Sequence, residues 1–323
     1  MRSAFLAVGV VSIGAVWRLA AAAALASAAA LTPGVSAPAA IPVAWHAGVG
    51  AQTDQKAIQA LAFFPTDVFV NVGDSITWSF DTAEVHTVSF LAPGQAPPGA
   101  GAPATPDNFA YTGSQFVNSG VKTEPGTSYT VMFNATGDFN YLCLIHARTM
   151  TARVHVNPTG SPYPHTQAFY DRQARDQARL VLDEGRAIRQ DSIEMARDTN
   201  NVVTGGGGAQ VFVARFLPQR KRIRLGDTVT WTNPDSITPH TVTFGPSPSN
   251  APAGLDRPGH ATIATNPVTT TISSGLIGVR RPLGTDFAVT FTAAGTYTYI
   301  CSLHADLGMV GRIVVSNSRD DDD

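Results

Sequence analysis

The chain repeats itself, and that feature limits what it can fold into more than any other. Laid against itself at an offset of 153 to 159 residues, Gly73-Asp74-Ser75-Ile76-Thr77-Trp78 falls on Gly226-Asp227-Thr228-Val229-Thr230-Trp231. His86-Thr87-Val88-Ser89-Phe90 falls on His240-Thr241-Val242-Thr243-Phe244, and Ser119-Gly120 on Ser274-Gly275. Gly137-Asp-Phe-Asn-Tyr141-Leu142-Cys143-Leu-Ile-His146 then meets Gly295-Thr-Tyr-Thr-Tyr299-Ile300-Cys301-Ser-Leu-His304. The order never changes, so one unit has been built twice, over residues 59–157 and 208–318. Each copy has about 100 residues, the size of a β-sandwich domain.

The patterning inside a copy agrees. Val68, Val70 and Val72 recur at every second position and so share one face, and Ile76 and Trp78 follow the Gly73-Asp74 turn. Val289 and Phe291 alternate with Thr290 and Thr292 before Gly295 breaks the run. A period of two bounded by glycine, proline and asparagine is a strand signature. Twenty-nine glycines and 22 prolines among 323 residues supply the turns such strands need. Residues 92–107 and 245–259 are Pro/Gly/Ala loops. The expected architecture is all-β: two tandem Greek-key β-sandwiches, with antiparallel sheets, joined by a helical segment.

That segment, 166–198, has a different period. Ala178, Gly185 and Ser192 recur every seven residues, as do Val181, Ile188 and Met195, among six arginines and seven acidic residues. This is an amphipathic helix with a narrow seam of small residues. It is expected to pack as a spacer on one sandwich, or to pair two chains as a homodimer. Residues 205–208, four glycines, read as a flexible joint.

Both cysteines occupy the same place in the two copies, which argues against a disulfide between them. Each is accompanied instead by other metal-ligating side chains: His86, Cys143, His146 and Met150 in one copy, His240, Cys301, His304 and Met309 in the other. Cysteine at a strand end, with histidine three residues on and methionine beyond, places three donors on one loop, while the early histidine comes from a distant segment. Two imidazoles, a thiolate and a weak thioether form the trigonal set with a long axial methionine that suits copper as Cu(I) and as Cu(II). Zinc competes, although a structural zinc site rarely uses methionine. His46, His155, His165 and His260 share no pattern, and Trp78 and Trp231 read as sandwich core.

On these residues the chain resembles the cupredoxins, the blue-copper family of plastocyanin, pseudoazurin and azurin. The similarity covers both repeats and is close in Tyr299-Ile-Cys301-Ser-Leu-His304-Ala-Asp-Leu-Gly-Met309. The first copy is one residue shorter before its methionine. Thr87 and Thr241 stand where the family commonly has asparagine, so the tie between the two ligand segments must be made differently. The resemblance implies a type 1 copper in each domain and an electron-transfer function. It also implies that His146 and His304 reach the surface, with Leu144, Ile145, Leu303 and Leu307 around them as docking patches for redox partner proteins. Multicopper oxidases and copper nitrite reductases are the enzyme alternatives. They carry a histidine directly before the cysteine, and the oxidases carry His-x-His pairs. Here Leu142 and Ile300 precede the cysteines and no His-x-His occurs. Copper storage or delivery is a further alternative, from another class.

Charge bears on partners. The formal net charge is -2, which gives no basic surplus for nucleic acid. Residues 59–157 hold seven acidic and three basic side chains, while 208–318 hold nine basic and five acidic. The copies are therefore expected to face different partners, or each other. Residues 3–17 are uncharged and mostly apolar between Arg2 and Arg18, and an alanine-rich run and a Pro/Ala-rich stretch follow to about residue 42. Residues 1–42 read as an export signal or an N-terminal membrane anchor, and 319–323 as a solvated acidic tail. The expected compartment is periplasmic, cell-envelope or extracellular.

Overall fold

The computed structural model describes residues 41–147, 149–197, 199–235, 237–246, 259–278 and 285–317. The export or anchor segment up to residue 40, the acidic tail and most of the 245–259 loop lie outside them.

The first half begins with β1 (Ala44–Gln52), β2 (Ile58–Phe64), β3 (Asp67–Asn71), β4 (Ser75–Phe80) and β5 (Ser89–Phe90). It continues with β6 (Phe109–Tyr111), β7 (Val117–Asn118), β8 (Thr127–Phe133), β9 (Gly137–Leu142) and β10 (Thr151–Asn157). Helix α1 (Gln167–Met195) follows. The second half has β11 (Asn201–Thr204), β12 (Val211–Val213), β13 (Phe216–Leu217), β14 (Arg220–Arg224), β15 (Thr228–Thr232) and β16 (Thr243–Phe244). It ends with β17 (His260–Ile263), β18 (Ile272–Ser273), β19 (Asp286–Phe291), β20 (Gly295–Ile300) and β21 (Val310–Ser316).

The duplication is visible in the pairing. The order β2-β1-β4-β8-β6 of one half is repeated as β13-β11-β15-β19-β17 in the other, and β3-β10-β9-β5-β7 as β14-β21-β20-β16-β18. Each half is a β-sandwich around an aromatic core, with Trp78 and Trp231 fully buried at corresponding places. The sheets are not purely antiparallel as expected. β1 runs parallel to β4, β10 to β3 and β6 to β8, and the second half repeats all three relations. Side-chain alternation has the same period in either direction, so the sequence pattern carries no sign of strand direction.

The helix spans both halves rather than resting on one. Thr166 caps it, its hydroxyl accepting from the Phe169 N–H. Ala174, Ala178, Val181 and Leu182 pack on Ala60, Ala62 and Phe64 of β2. Val181, Leu182, Ile188 and Ile193 pack on Ile58 together with Val203, Val211, Val213 and Leu217 of the second half. At Gly185 a Cβ would stand 2.3 Å from the Ile58 Cγ2 and 2.7 Å from the Val211 Cγ2, so only glycine lets the helix come this close to both strands. The seam of small residues is thus filled by the chain's own sheets.

The glycine run 205–208 is also not the free joint that composition suggests. Gly205 and Gly206 are buried, and a Cβ at Gly206 would meet Ser192 and Ile188 of the helix. Close packing, not flexibility, calls for the missing side chains. The run leads into β12, which leaves its own sandwich and pairs antiparallel with β2 of the first half, Val211 opposite Ala60 and Val213 opposite Ile58. The bonds Leu61 N–H to Gln210 O (2.7 Å) and Ala214 N–H to Ala57 O (2.8 Å) extend this seam. With α1 on one face and β12 along its edge, all seven residues of β2 are buried.

Candidate metal centre

Each candidate site draws on two elements of one sandwich. Cys143 directly follows β9 and Cys301 directly follows β20, while His86 and His240 precede β5 and β16, the neighbours of those strands in the sheet. Sheet pairing therefore brings residues 57 and 61 positions apart in sequence to the same corner. The loop after the cysteine turns back within a few residues. Cys143 N–H donates to Met150 O (3.1 Å) and Met150 N–H to His146 O (3.0 Å). The second loop makes the same two bonds at Met309, 3.0 and 3.2 Å, and takes up its extra residue in a 3-10 turn, Ala305–Leu307, closed by Gly308 at φ +86°. The one-residue difference thus leaves both methionines at the same place in the hydrogen-bond pattern, and both are fully buried.

His86, Cys143 and His146 are brought together in the first half, and His240, Cys301 and His304 in the second, the ligand atoms of each trio lying within 4.8 Å of one another. Cys143 Sγ is 4.0 Å from His86 Nδ1 and 3.6 Å from His146 Nδ1. Cys301 Sγ is 3.8 Å from His240 Nδ1 and 3.5 Å from His304 Nδ1, and the two imidazole Nδ1 atoms are 3.1 Å apart. Both cysteines are free and buried. Burial pushes each thiol up, but hydrogen bonds and positive charge from the two imidazoles outweigh it and hold Cys143 and Cys301 well below the ordinary thiol range. Two converging Nδ1 atoms and a thiolate, shielded from water, are the donor set that fits copper. Among the described residues these two trios are the groups arranged to hold a metal ion. His155 instead bridges Asp138 and Asp67 at 2.6 and 3.3 Å.

Thr87 and Thr241 make the tie between the two ligand segments themselves. Thr87 N–H donates to Cys143 Sγ (3.3 Å), and its hydroxyl accepts from the Leu144 N–H (2.8 Å). Thr241 repeats this with Cys301 Sγ (3.4 Å) and the Ser302 N–H (2.7 Å). Sequence reading noticed the substitution but not the role. That His-Thr occurs in both copies was the available signal. It also missed a pair of glycines. Gly50 (φ +71°) and Gly205 (φ +80°) press on the far side of the early histidines, where a Cβ would lie 2.7 Å from His86 Nε2 and 3.2 Å from His240 Nε2. Each leaves space for an imidazole and adopts a backbone geometry that other residues resist.

The surroundings differ from expectation at the loops. His304 is 7% exposed, and Leu307, expected in a surface patch, is 4% exposed. The cause is the crossing strand. Leu307 packs with Leu61, Phe212 and Ala214, and the Phe212 ring lies 5.1 Å from the His304 ring. Arg215 pins the loop by donating to Leu307 O (2.6 Å) and also to Gln55 O of the first half. Leu144 is buried as well, whereas Leu303 is 46% exposed. On the first site, His146 Nε2 faces Glu84 Oε1 at 3.6 Å.

The family description "copper binding proteins, plastocyanin/azurin family" matches residues 50–157 and again 201–316. The chain belongs to that family, in two copies. A chloroplastic plastocyanin of Tetradesmus obliquus is 29% identical over 138 residues, 42% of this chain and 81% of that protein. A plastocyanin of Synechococcus sp. is 31% identical over 121 residues, 38% of this chain and 76% of its own. Among solved structures, an amicyanin mutant in the Cu(I) state aligns with TM-score 0.25 and 18% identity, covering 35% of this chain and 82% of that one. For this plastocyanin/azurin member, the helix α1 and the crossing strand β12 are what join the two halves.

Proposed function

We propose that the protein is an exported one-electron carrier holding one copper in each half, on His86, Cys143 and His146 with Met150, and on His240, Cys301 and His304 with Met309. The observation that carries this reading is the pair of trios, each with two Nδ1 atoms facing a buried thiolate. Bound copper would supply reversible exchange between Cu(I) and Cu(II). The chain's own residues do the rest. The β9–β10 and β20–β21 turns and the Thr87 and Thr241 bonds fix the donors before any metal arrives, so little rearranges when charge changes. The thioethers of Met150 and Met309 would be the weak fourth donors. Leu303 beside His304 offers an exposed apolar contact for a redox partner protein, in keeping with the small interfaces of such encounters. Among the described residues no helix is long and apolar enough to cross a membrane. We place export on the segment 1–42, whose mostly apolar residues 3–17 lie between Arg2 and Arg18 ahead of an alanine-rich run.

Copper content, visible absorption and paramagnetic resonance of the loaded protein test this. Two coppers per chain and an intense thiolate-to-copper band are expected. Cys143→Ser and Cys301→Ser should each remove one copper and part of the band. A colourless protein after cupric loading, or copper retained when both cysteines are replaced, overturns the reading. Rapid reversible reduction of both sites distinguishes a carrier from a store, which would release its metal to a chelator instead.

A further inference from the structure

Each half turns one sheet face outward at the same place, and the two faces treat their charges in opposite ways. In the first half the face is made by β3, β10 and β9, and it pairs with itself. His155 bridges Asp138 and Asp67, its ring stacks on Phe69 at 4.2 Å, and Arg153 Nε donates to Asn140 Oδ1 (2.8 Å).

In the second half the matching strands are β14, β21 and β20. Arg220, Arg222 and Arg224 project from β14 and Arg312 from β21, all four exposed, while β20 adds neutral Thr296 and Thr298. Arg220 lies opposite Arg312 just as Asp67 lies opposite Arg153. An acid–base pair has thus become a pair of like charges, which repel across neighbouring strands. Among the described residues none of the four guanidiniums has an ion-pair or hydrogen-bond partner. Lys221, between them in sequence, donates to Ala196 O (3.3 Å), and Asp227 accepts from the Arg224 backbone N–H (2.9 Å) rather than from a guanidinium. Val310 and Leu225, 38% and 45% exposed, flank the arginines at the two ends of these strands.

We propose that this face is a docking surface for an acidic protein, held by carboxylates that meet Arg220, Arg222, Arg224 and Arg312. Side chains two residues apart on a strand stand about 6.6 Å apart. The charges are therefore spread in a flat row, which suits several carboxylates distributed over a surface better than one small anion. A guanidinium fork matches a carboxylate with two parallel hydrogen bonds. The apolar side chains at either end favour a protein surface over lipid headgroups, since they gain contact there as the charges pair. No metal ligand belongs to this face, so its docking role goes beyond the electron-carrier reading and does not depend on it.

The probes are native cytochrome c, which is basic, and the same protein with its lysines succinylated, which is acidic. Chemical-shift titration of the isotope-labelled full-length protein, metal-free and again with Cu(I), reads both affinity and location. The succinylated probe is expected to bind and to move the amide signals of Arg220, Arg222, Arg224 and Arg312, and the native probe is not. Replacing all four by glutamine should weaken binding at least about tenfold, while Arg186→Gln on the exposed side of α1 should leave it unchanged. Raising salt to about 0.15 M, where the Debye length is about 8 Å, should weaken the wild type more than the fourfold variant. Should that variant fail to fold, Arg222→Glu decides alone, with a loss of about threefold or more expected from reversing one charge. Equal affinity of wild type and variant, shifts confined to another face, or no binding of the succinylated probe overturns the proposal. Vesicles of phosphatidylserine and phosphatidylcholine that bind through these arginines when the succinylated probe does not would assign the face to a membrane and overturn it too. So would binding that appears only once Asp320, Asp321, Asp322 and Asp323 are deleted, which would make the chain's own acidic residues the occupant. A protein without blue absorption would defeat the copper reading and leave these shifts as they are.

Discussion

The thiols of Cys143 and Cys301 and the imidazoles beside them set the terms on which metal is taken up. His146 is the clearest case. Burial alone would lower its pKa, but hydrogen bonds and charge from Cys143 and Glu84 raise it to about 9 from an ordinary 6.5. A proton held there up to about pH 9 competes with copper for the imidazole, whereas the thiol, already far below its usual range, has little left to release. The sign follows. Copper affinity at the first site rises with pH through the neutral range and levels off near pH 9, and binding at pH 7 releases about one proton. Calorimetry of the Cys301→Ser protein in buffers of different ionisation enthalpy measures that proton directly. Uptake with no proton released, and an affinity flat from pH 6 to pH 9, would show that His146 is neutral before the metal binds.

At the scale of the element, α1 shows what can and cannot be read in advance. Its period, its amphipathic face and its small-residue seam are local properties, and residues 166–198 foreshadow Gln167–Met195 closely. What fills the seam is not local. Gly185 sits against Ile58 and Val211, one from each half, with no room for a methyl group. Gly185→Val is therefore expected to destabilise the fold by about 2–3 kcal/mol through overpacking, although valine propagates a helix better than glycine. Arg186→Ala, one residue on and exposed, should cost far less, since its ion pair with Asp183 is at the surface. Denaturant unfolding of the two variants makes the comparison. Equal stabilities would mean that the helix is not held where it lies. The grouping of each His-Cys-His trio was legible for a similar reason. Cys-x-x-His marks a loop, and its twofold occurrence in register marks the same corner of each half. The bonds from Thr87 and Thr241, the parallel pairings and the path of β12 were not legible, because they depend on which segments meet across the sheet, and neither spacing nor hydropathy encodes that.

The molecule as a whole is two copies of one unit that no longer behave as separable beads. β12 belongs by sequence to the second half and by hydrogen bonding to the first. It covers the edge of β2, whose seven residues are all buried only because that strand and α1 are present. Removing the second half would expose an apolar strand edge, a template for aggregation. Phe212, fully buried, closes the junction over His304, and Arg215 ties Leu307 to Gln55 across it. The halves should accordingly unfold together. In denaturant, the far-ultraviolet signal and the absorbance of each copper site, read separately in the Cys143→Ser and Cys301→Ser proteins, are expected to share one midpoint. Phe212→Ala should lower that midpoint for both sites by the equivalent of about 3–5 kcal/mol, the usual cost of emptying an aromatic position in a core. Two separated transitions, or a Phe212→Ala effect confined to the second site, would mean that the crossing strand decorates two independent domains instead of making them one.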